Sequence, residues 1–249
     1  MRTSNPAFGS NAFSVPSIGV RYGDTMTVNG TIHRTGILLL CVLATALWTW
    51  TQFFKSTADA AAIQPYIWIG AIGGFVMAMV TVFKREWSPV TAPIYALLEG
   101  LFLGAVSATF ESYYNGITIQ AVFLTFGTCF CMLLAYRSGL IRATEKFKIG
   151  IVAATGGIAV LYLVSMVLGF FGVQIPLIYG SGVIGIVFSV VVVTIAALNL
   201  ILDFDFIEQG AQRGAPKYME WYGAFGLILT LVWLYMEILR LLSKLADRR

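Results

Sequence analysis

The residues with the most chemistry to offer are carboxylates set in apolar surroundings. Glu99 lies in Ala96-Leu97-Leu98-Glu99-Gly100-Leu101-Phe102, and Glu237 in Leu234-Tyr235-Met236-Glu237-Ile238-Leu239. A charged carboxylate near a bilayer centre costs about 2.5 to 3.5 kcal/mol on insertion scales, so each should turn inward to a partner or a wet cavity. A second acidic group, Asp203, Asp205 and Glu208, stands where a long apolar run ends. At roughly 100° per residue Asp203 and Asp205 point to nearly opposite sides, while Asp205 and Glu208 share a face. Only one of the two aspartates can readily look inward, and the sequence leaves open which. Negative charge at a helix carboxyl end is locally unfavourable, which points to a cation or a basic partner. Two carboxylates held close in a low dielectric cannot both ionise cheaply, so they titrate as a unit. Loss of their proton leaves a hard, oxygen-rich site suited to Ca²⁺, with too few ligands for storage and enough for passage.

The elements that must carry these groups follow from composition. Of 249 residues 58% are apolar and 11% charged, too little polar surface for a water-soluble globule. Seven stretches approach the roughly 20 apolar residues that a bilayer crossing needs: 35–54, 66–83, 94–110, 117–136, 149–171, 183–202 and 221–242. The expected fold is an all-α integral membrane bundle of seven transmembrane helices, residues 35–249, behind a disordered cytoplasmic tail of residues 1–34 that is rich in Ser, Asn, Gly and Thr. Turn residues such as Ser88-Pro89, Asn115-Gly116 and Pro176 separate the runs. Small residues at four-residue spacing, Gly70 with Gly74 and Gly100 with Gly104, suit close helix contact, and Gly156-Gly157 reads the same way.

Charge sets the orientation. With the amino terminus cytoplasmic, the inner side carries Arg2, Arg21, Arg34, Lys84, Arg85, Arg137, Arg142, Lys146, Lys148, Arg213 and Lys217, and the outer loops only Lys55. Seven crossings then put Arg240, Lys244, Arg248 and Arg249 on the outer side, against the rule, unless the last helix is central or does not fully cross. The net charge of +4 is dispersed, which disfavours nucleic acid as a partner.

Several chemistries are excluded. His33, the one histidine, stands at the start of the first span, so neither a histidine zinc cluster nor a Ser-His-Asp triad fits inside the bundle. Cys41, Cys129 and Cys131 lie in apolar runs and read as buried hydrophobes rather than a disulfide framework. The last helix has no central lysine for a retinal, and Glu237 lacks the glycine-rich surroundings of an intramembrane aspartyl protease. The chain is expected not to be an enzyme and to hold no resident cofactor.

Three segments carry a resemblance: Ala92-Pro93-Ile94-Tyr95-Ala96-Leu97-Leu98-Glu99-Gly100-Leu101-Phe102-Leu103-Gly104, Ala197-Leu198-Asn199-Leu200-Ile201-Leu202-Asp203-Phe204-Asp205-Phe206-Ile207, and Trp233-Leu234-Tyr235-Met236-Glu237-Ile238-Leu239-Arg240-Leu241-Leu242. Together they resemble the Bax inhibitor-1/YccA family, in particular its bacterial branch. The resemblance implies a central last helix ringed by the other six, a bacterial plasma membrane location, and a pH-sensitive calcium leak. It also implies a proton-sharing carboxylate pair, for which Asp205 and Glu237 are the matches, with Asp203 the alternative to Asp205 and glutamate standing where aspartate is usual in the last helix. A basic latch near the end of the second helix would fall to Arg85 or Lys84. The alternative reading is a non-catalytic regulator that binds another membrane protein, such as a membrane protease.

Overall fold

A computed structural model describes residues 25–56, 60–173, 175, 178 and 180–248. Among them are seven helices long and apolar enough to cross a membrane. They are α1 (Val28–Lys55), α2 (Ala60–Phe83), α3 (Ser88–Tyr113), α4 (Ile117–Arg137), α5 (Glu145–Phe170), α6 (Val183–Gln212) and α7 (Met219–Ala246), with a 3₁₀ turn, Arg85–Trp87, between α2 and α3. Each is longer than its apolar run because polar residues extend it at the ends. The first starts before Thr35: the Thr27 side chain accepts from the Gly30 amide and caps α1, so residues 28–34 are helical rather than tail. The remainder of the expected tail, residues 1–24, lies outside the described residues.

Local chemistry fixes the other ends. Thr144 caps α5 by accepting from Phe147 N–H, and Pro89 sits in the first turn of α3, where its missing N–H costs nothing. Between α3 and α4 the Glu111 carboxylate accepts from the amides of Gly116 and Thr118 at 2.6 and 3.1 Å, which closes the turn and satisfies two free donors. Gly116 there has φ 81°, a left-handed conformation that glycine adopts without strain.

Two helices form the core. Half of the most apolar window is buried in α3 and in α7, against about a fifth in α1, α2, α4 and α5. The α7 backbone packs on α1, α3, α4 and α6, while α2 joins through α1 and α3, and α5 through α6. The last helix is therefore central: four helices pack on its backbone, α5 reaches it through side chains, and α2 packs on α1 and α3 instead. Leu38, Ala96, Ala196, Leu200, Ile228, Leu234 and Leu239 fill the interior.

Glycine decides how closely α1, α2 and α3 approach. A methyl on Gly100 would lie 2.3 Å from the Val42 carbonyl oxygen, one on Gly104 2.3 Å from that of Ala46, and one on Gly70 2.7 Å from that of Leu98. Those helices touch backbone to backbone, as the small-residue spacing anticipates. Gly156 and Gly157 differ: nothing lies within 4 Å of a methyl on either, so they do not mediate packing. Of the cysteines, Cys41 and Cys129 are half-buried and Cys131 is exposed; none is bonded to another. A cleft lies between α1 and α4, floored by Leu103, Ile228 and Tyr235.

Candidate functional site

The acidic residues occupy three separate layers along the bundle. At a rise of 1.5 Å per residue, Asp205 lies about 10 Å and Asp203 about 14 Å from the α6 terminus that faces the basic loops, whereas Glu237 lies about 27 Å along α7 from that same end. Antiparallel packing of α6 on α7 therefore keeps Asp205 and Glu237 more than a helical turn apart. Each has found its own cation instead.

Glu237, 2% exposed, is enclosed by three donors. Arg240 Nη1 donates to both carboxylate oxygens at 2.9 Å, Tyr162 Oη to Oε1 at 2.9 Å and Trp233 Nε1 to Oε1 at 3.3 Å. Arg240 Nη1 also donates to Tyr162 Oη at 2.7 Å and covers that ring at 5.1 Å, so α5 is tied to α7 by a closed triangle. One turn further, buried Lys244 donates to the Gly185 carbonyl at 3.0 Å and to Ser189 Oγ at 2.8 Å on α6. Glu237, Arg240 and Lys244 recur at helical spacing, so one face of α7 carries all three.

Asp205 faces the other way, to α5. Lys148 Nζ lies 2.9 Å from its Oδ2, and Gln209 Nε2 donates to the same oxygen. Glu208, on the same face as the sequence angle requires, accepts from Tyr136 Oη and Gln212 Nε2. Arg85 and Lys84, the residues suggested for the latch, are not the partners of Asp205. The 3₁₀ turn holds Arg85 beneath the first turns of α7, where its guanidinium covers the Tyr222 ring at 5.4 Å. Lys148, in the first turn of α5, is on the correct side.

Asp203 is the inward aspartate. Its carboxyl meets the Thr230 hydroxyl of α7, its Oδ1 lies 3.9 Å from where a methyl on Gly226 would stand, and Cys129 of α4 is within its electrostatic reach. The residue as a whole is half-buried, but Oδ2 is sealed and has no hydrogen-bond partner among the described residues. The group opposite is the Thr230 hydroxyl. Glu99 sits at a similar depth, about 16 Å up α3 from Ser88. It bonds the Tyr95 hydroxyl, and its Oε2 fills the gap left by Gly74 of α2, 3.1 Å from where a methyl there would stand. Tyr95 in turn meets Phe225 of α7 edge to face, with centroids 5.0 Å apart.

One buried acid was missed from sequence. Glu220, fully buried, accepts from Thr27 N–H at 3.0 Å, Thr27 Oγ1 at 2.8 Å and Lys217 Nζ at 2.7 Å, with Arg34 Nε 4.0 Å away. Together with the Met26 to Ala215 backbone bond of 2.7 Å, it fastens the start of α1 to the α6–α7 connection. A Glu in the first turn of a helix reads as an ordinary dipole partner, so the only available signal was its position after Lys217.

A family model described as Bax inhibitor 1 like matches residues 5–247. No curated protein and no solved structure matches the chain. With seven apolar helices, two core helices and a match over nearly its whole length, the chain belongs to the Bax inhibitor-1 family of polytopic membrane proteins.

Proposed function

We propose that this protein is a pH-sensitive calcium leak of the bacterial plasma membrane in which Asp203 is the interior proton-binding group. One observation carries the reading: a carboxyl between α6 and the central helix α7 has one oxygen on a hydroxyl and the other, buried, without a hydrogen-bond partner among the described residues. As a neutral acid it suits that environment. Once ionised it demands a cation, because an isolated charge in hydrocarbon costs several kcal/mol. Proton loss thus turns a plug into a weak oxygen site, and the few ligands around it favour release over retention.

The Lys148–Asp205 pair at the basic end and the Glu237–Arg240–Tyr162 triangle toward the far end are then latches above and below this group. Asp205 and Glu237 act as two ion pairs and not as one proton-sharing pair. The test is calcium entry into liposomes that contain only this protein, measured against pH. Asp203→Asn should remove the pH dependence while the protein stays folded. Wild-type pH dependence in that variant would exclude Asp203, and absence of flux in the unmodified protein would favour the regulator that binds a membrane protease.

A further inference from the structure

The turn between α4 and α5 borders an open cavity of about 520 Å³ at the basic end of the bundle, lined by Tyr136, Arg137, Arg142, Thr144, Asp205 and Glu208 among others. The acids in its wall are engaged: Asp205 by Lys148 and Gln209, Glu208 by Tyr136 and Gln212. The two arginines are not, since neither makes an ion pair among the described residues. Both are exposed, and the left-handed Gly139, φ 71°, lets the chain double back so that Arg142 lies over the turn, its Nε 3.8 Å from where a methyl on Gly139 would stand. The cavity therefore presents two free guanidiniums beside the amino end of α5, whose dipole adds positive potential.

A second, independent feature says where this cavity sits. Leu140, at the tip of the turn between the arginines, is 82% exposed. An apolar side chain flanked by basic ones at the end of a spanning helix is the pattern of a segment resting in the headgroup layer. The basic bias assigns this end to the cytoplasmic leaflet, where anionic lipids collect.

The geometry points to a binding site for a phosphate-bearing anion, the headgroup of an anionic phospholipid, held by Arg137 and Arg142. Guanidinium forks match phosphate oxygens two at a time, and Thr144 and Tyr136 supply polar walls. Its wall shares Asp205 with the latch of the proposed leak, but lipid binding here does not require that leak.

The full-length chain in detergent, titrated with phosphatidylglycerol or phosphatidylcholine and read by native mass spectrometry, tests it. The unmodified protein should prefer phosphatidylglycerol, and R137Q/R142Q should weaken that lipid's binding by about 10- to 30-fold while leaving phosphatidylcholine unchanged. Lys146→Gln, outside the cavity, should change it by less than about 2-fold if local geometry rather than total charge decides. Displacement of the lipid by millimolar inorganic phosphate supports a site that also takes free phosphate; resistance to it supports lipid as the source. Undiminished phosphatidylglycerol binding in R137Q/R142Q, or in Arg142→Gln alone should the double variant misfold, overturns the proposal. So does an equal loss in Lys146→Gln.

Discussion

Replacing Gly100 by alanine and, separately, Gly156 by alanine makes the same chemical change in two spanning helices and should move stability in opposite directions. Both substitutions remove glycine's backbone freedom, which by itself stabilises a helix by about 1 kcal/mol. At Gly156 nothing lies within 4 Å of the new methyl, so that gain should survive. At Gly100 the methyl would stand 2.0 Å from Thr45 Oγ1, 2.3 Å from the Val42 carbonyl oxygen and 3.0 Å from its carbon. Thr45 can rotate away. Val42 cannot, because it is backbone of α1, which also presses on Gly104 four residues on, so the two helices must separate. Overpacking of this kind costs about 1 to 3 kcal/mol, and loss of close contact along the rest of the seam brings the net effect to the upper part of that range. Thermal unfolding in detergent should show Gly156→Ala at or slightly above the unmodified protein and Gly100→Ala several degrees below it. Equal midpoints for the two variants would refute a backbone-to-backbone seam between α1 and α3.

The remaining predictions concern the ion pairs. Arg240→Ala leaves Glu237 buried without its cation and should destabilise by about 3 kcal/mol; the Arg240→Ala/Glu237→Leu double variant should recover much of that, as a cycle of unfolding midpoints would register. Glu220→Ala strips Thr27 of both its bonds to the acid and Lys217 of its partner. A loss of about 2 kcal/mol should follow, seen as a lowered midpoint and faster amide exchange at the start of α1. Lys148→Met frees Asp205 from its cation, and in the leak reading it should raise basal calcium flux, whereas Arg85→Gln and Lys84→Gln should leave flux unchanged. The reverse ranking would return the latch to the end of α2.

The fold was legible because its signals are one-dimensional. Apolar run length specified seven spans, and glycine spacing located the seams on α3, since both are properties of consecutive residues. The pairing of the acids was not legible for a geometric reason: which carboxylate meets which cation depends on how far each stands along its own helix. Asp205 and Glu237 are both acids near the bundle's last two helices, but antiparallel packing sets them at different heights. At about 100° per residue Asp203 and Asp205 diverge, and Asp205 and Glu208 share a side, as the structure has them. Which side faces α7 is not carried by that angle, and Thr230 and Gly226, which Asp203 meets there, have no chemical signature of their own. Gly156-Gly157 shows the converse limit: two small residues, adjacent rather than four apart, read as packing glycines like the others, yet a methyl on either meets nothing within 4 Å.

The basic residues of α7 show how side-chain partners change the meaning of a charge count. Arg240 and Lys244, counted as loop charges, oppose the orientation that the basic residues of the tail and inner loops favour. In the structure Arg240 is spent on Glu237, with its side chain 31% exposed, and Lys244 is buried on the Gly185 carbonyl and Ser189. Neither is a free charge in a loop, and an orientation rule built on basic residues outside the hydrocarbon does not apply to them. What is left beyond the helix among the described residues is Arg248, against Lys84, Arg85, Arg137, Arg142, Lys146, Arg213 and Lys217 at the opposite end. Seven full crossings are therefore compatible with the charge bias, and no shortened last helix is needed. The same residues that disturbed the count are those that lock α7 to α5 and α6, which is why they are basic in a place where topology alone would disfavour them.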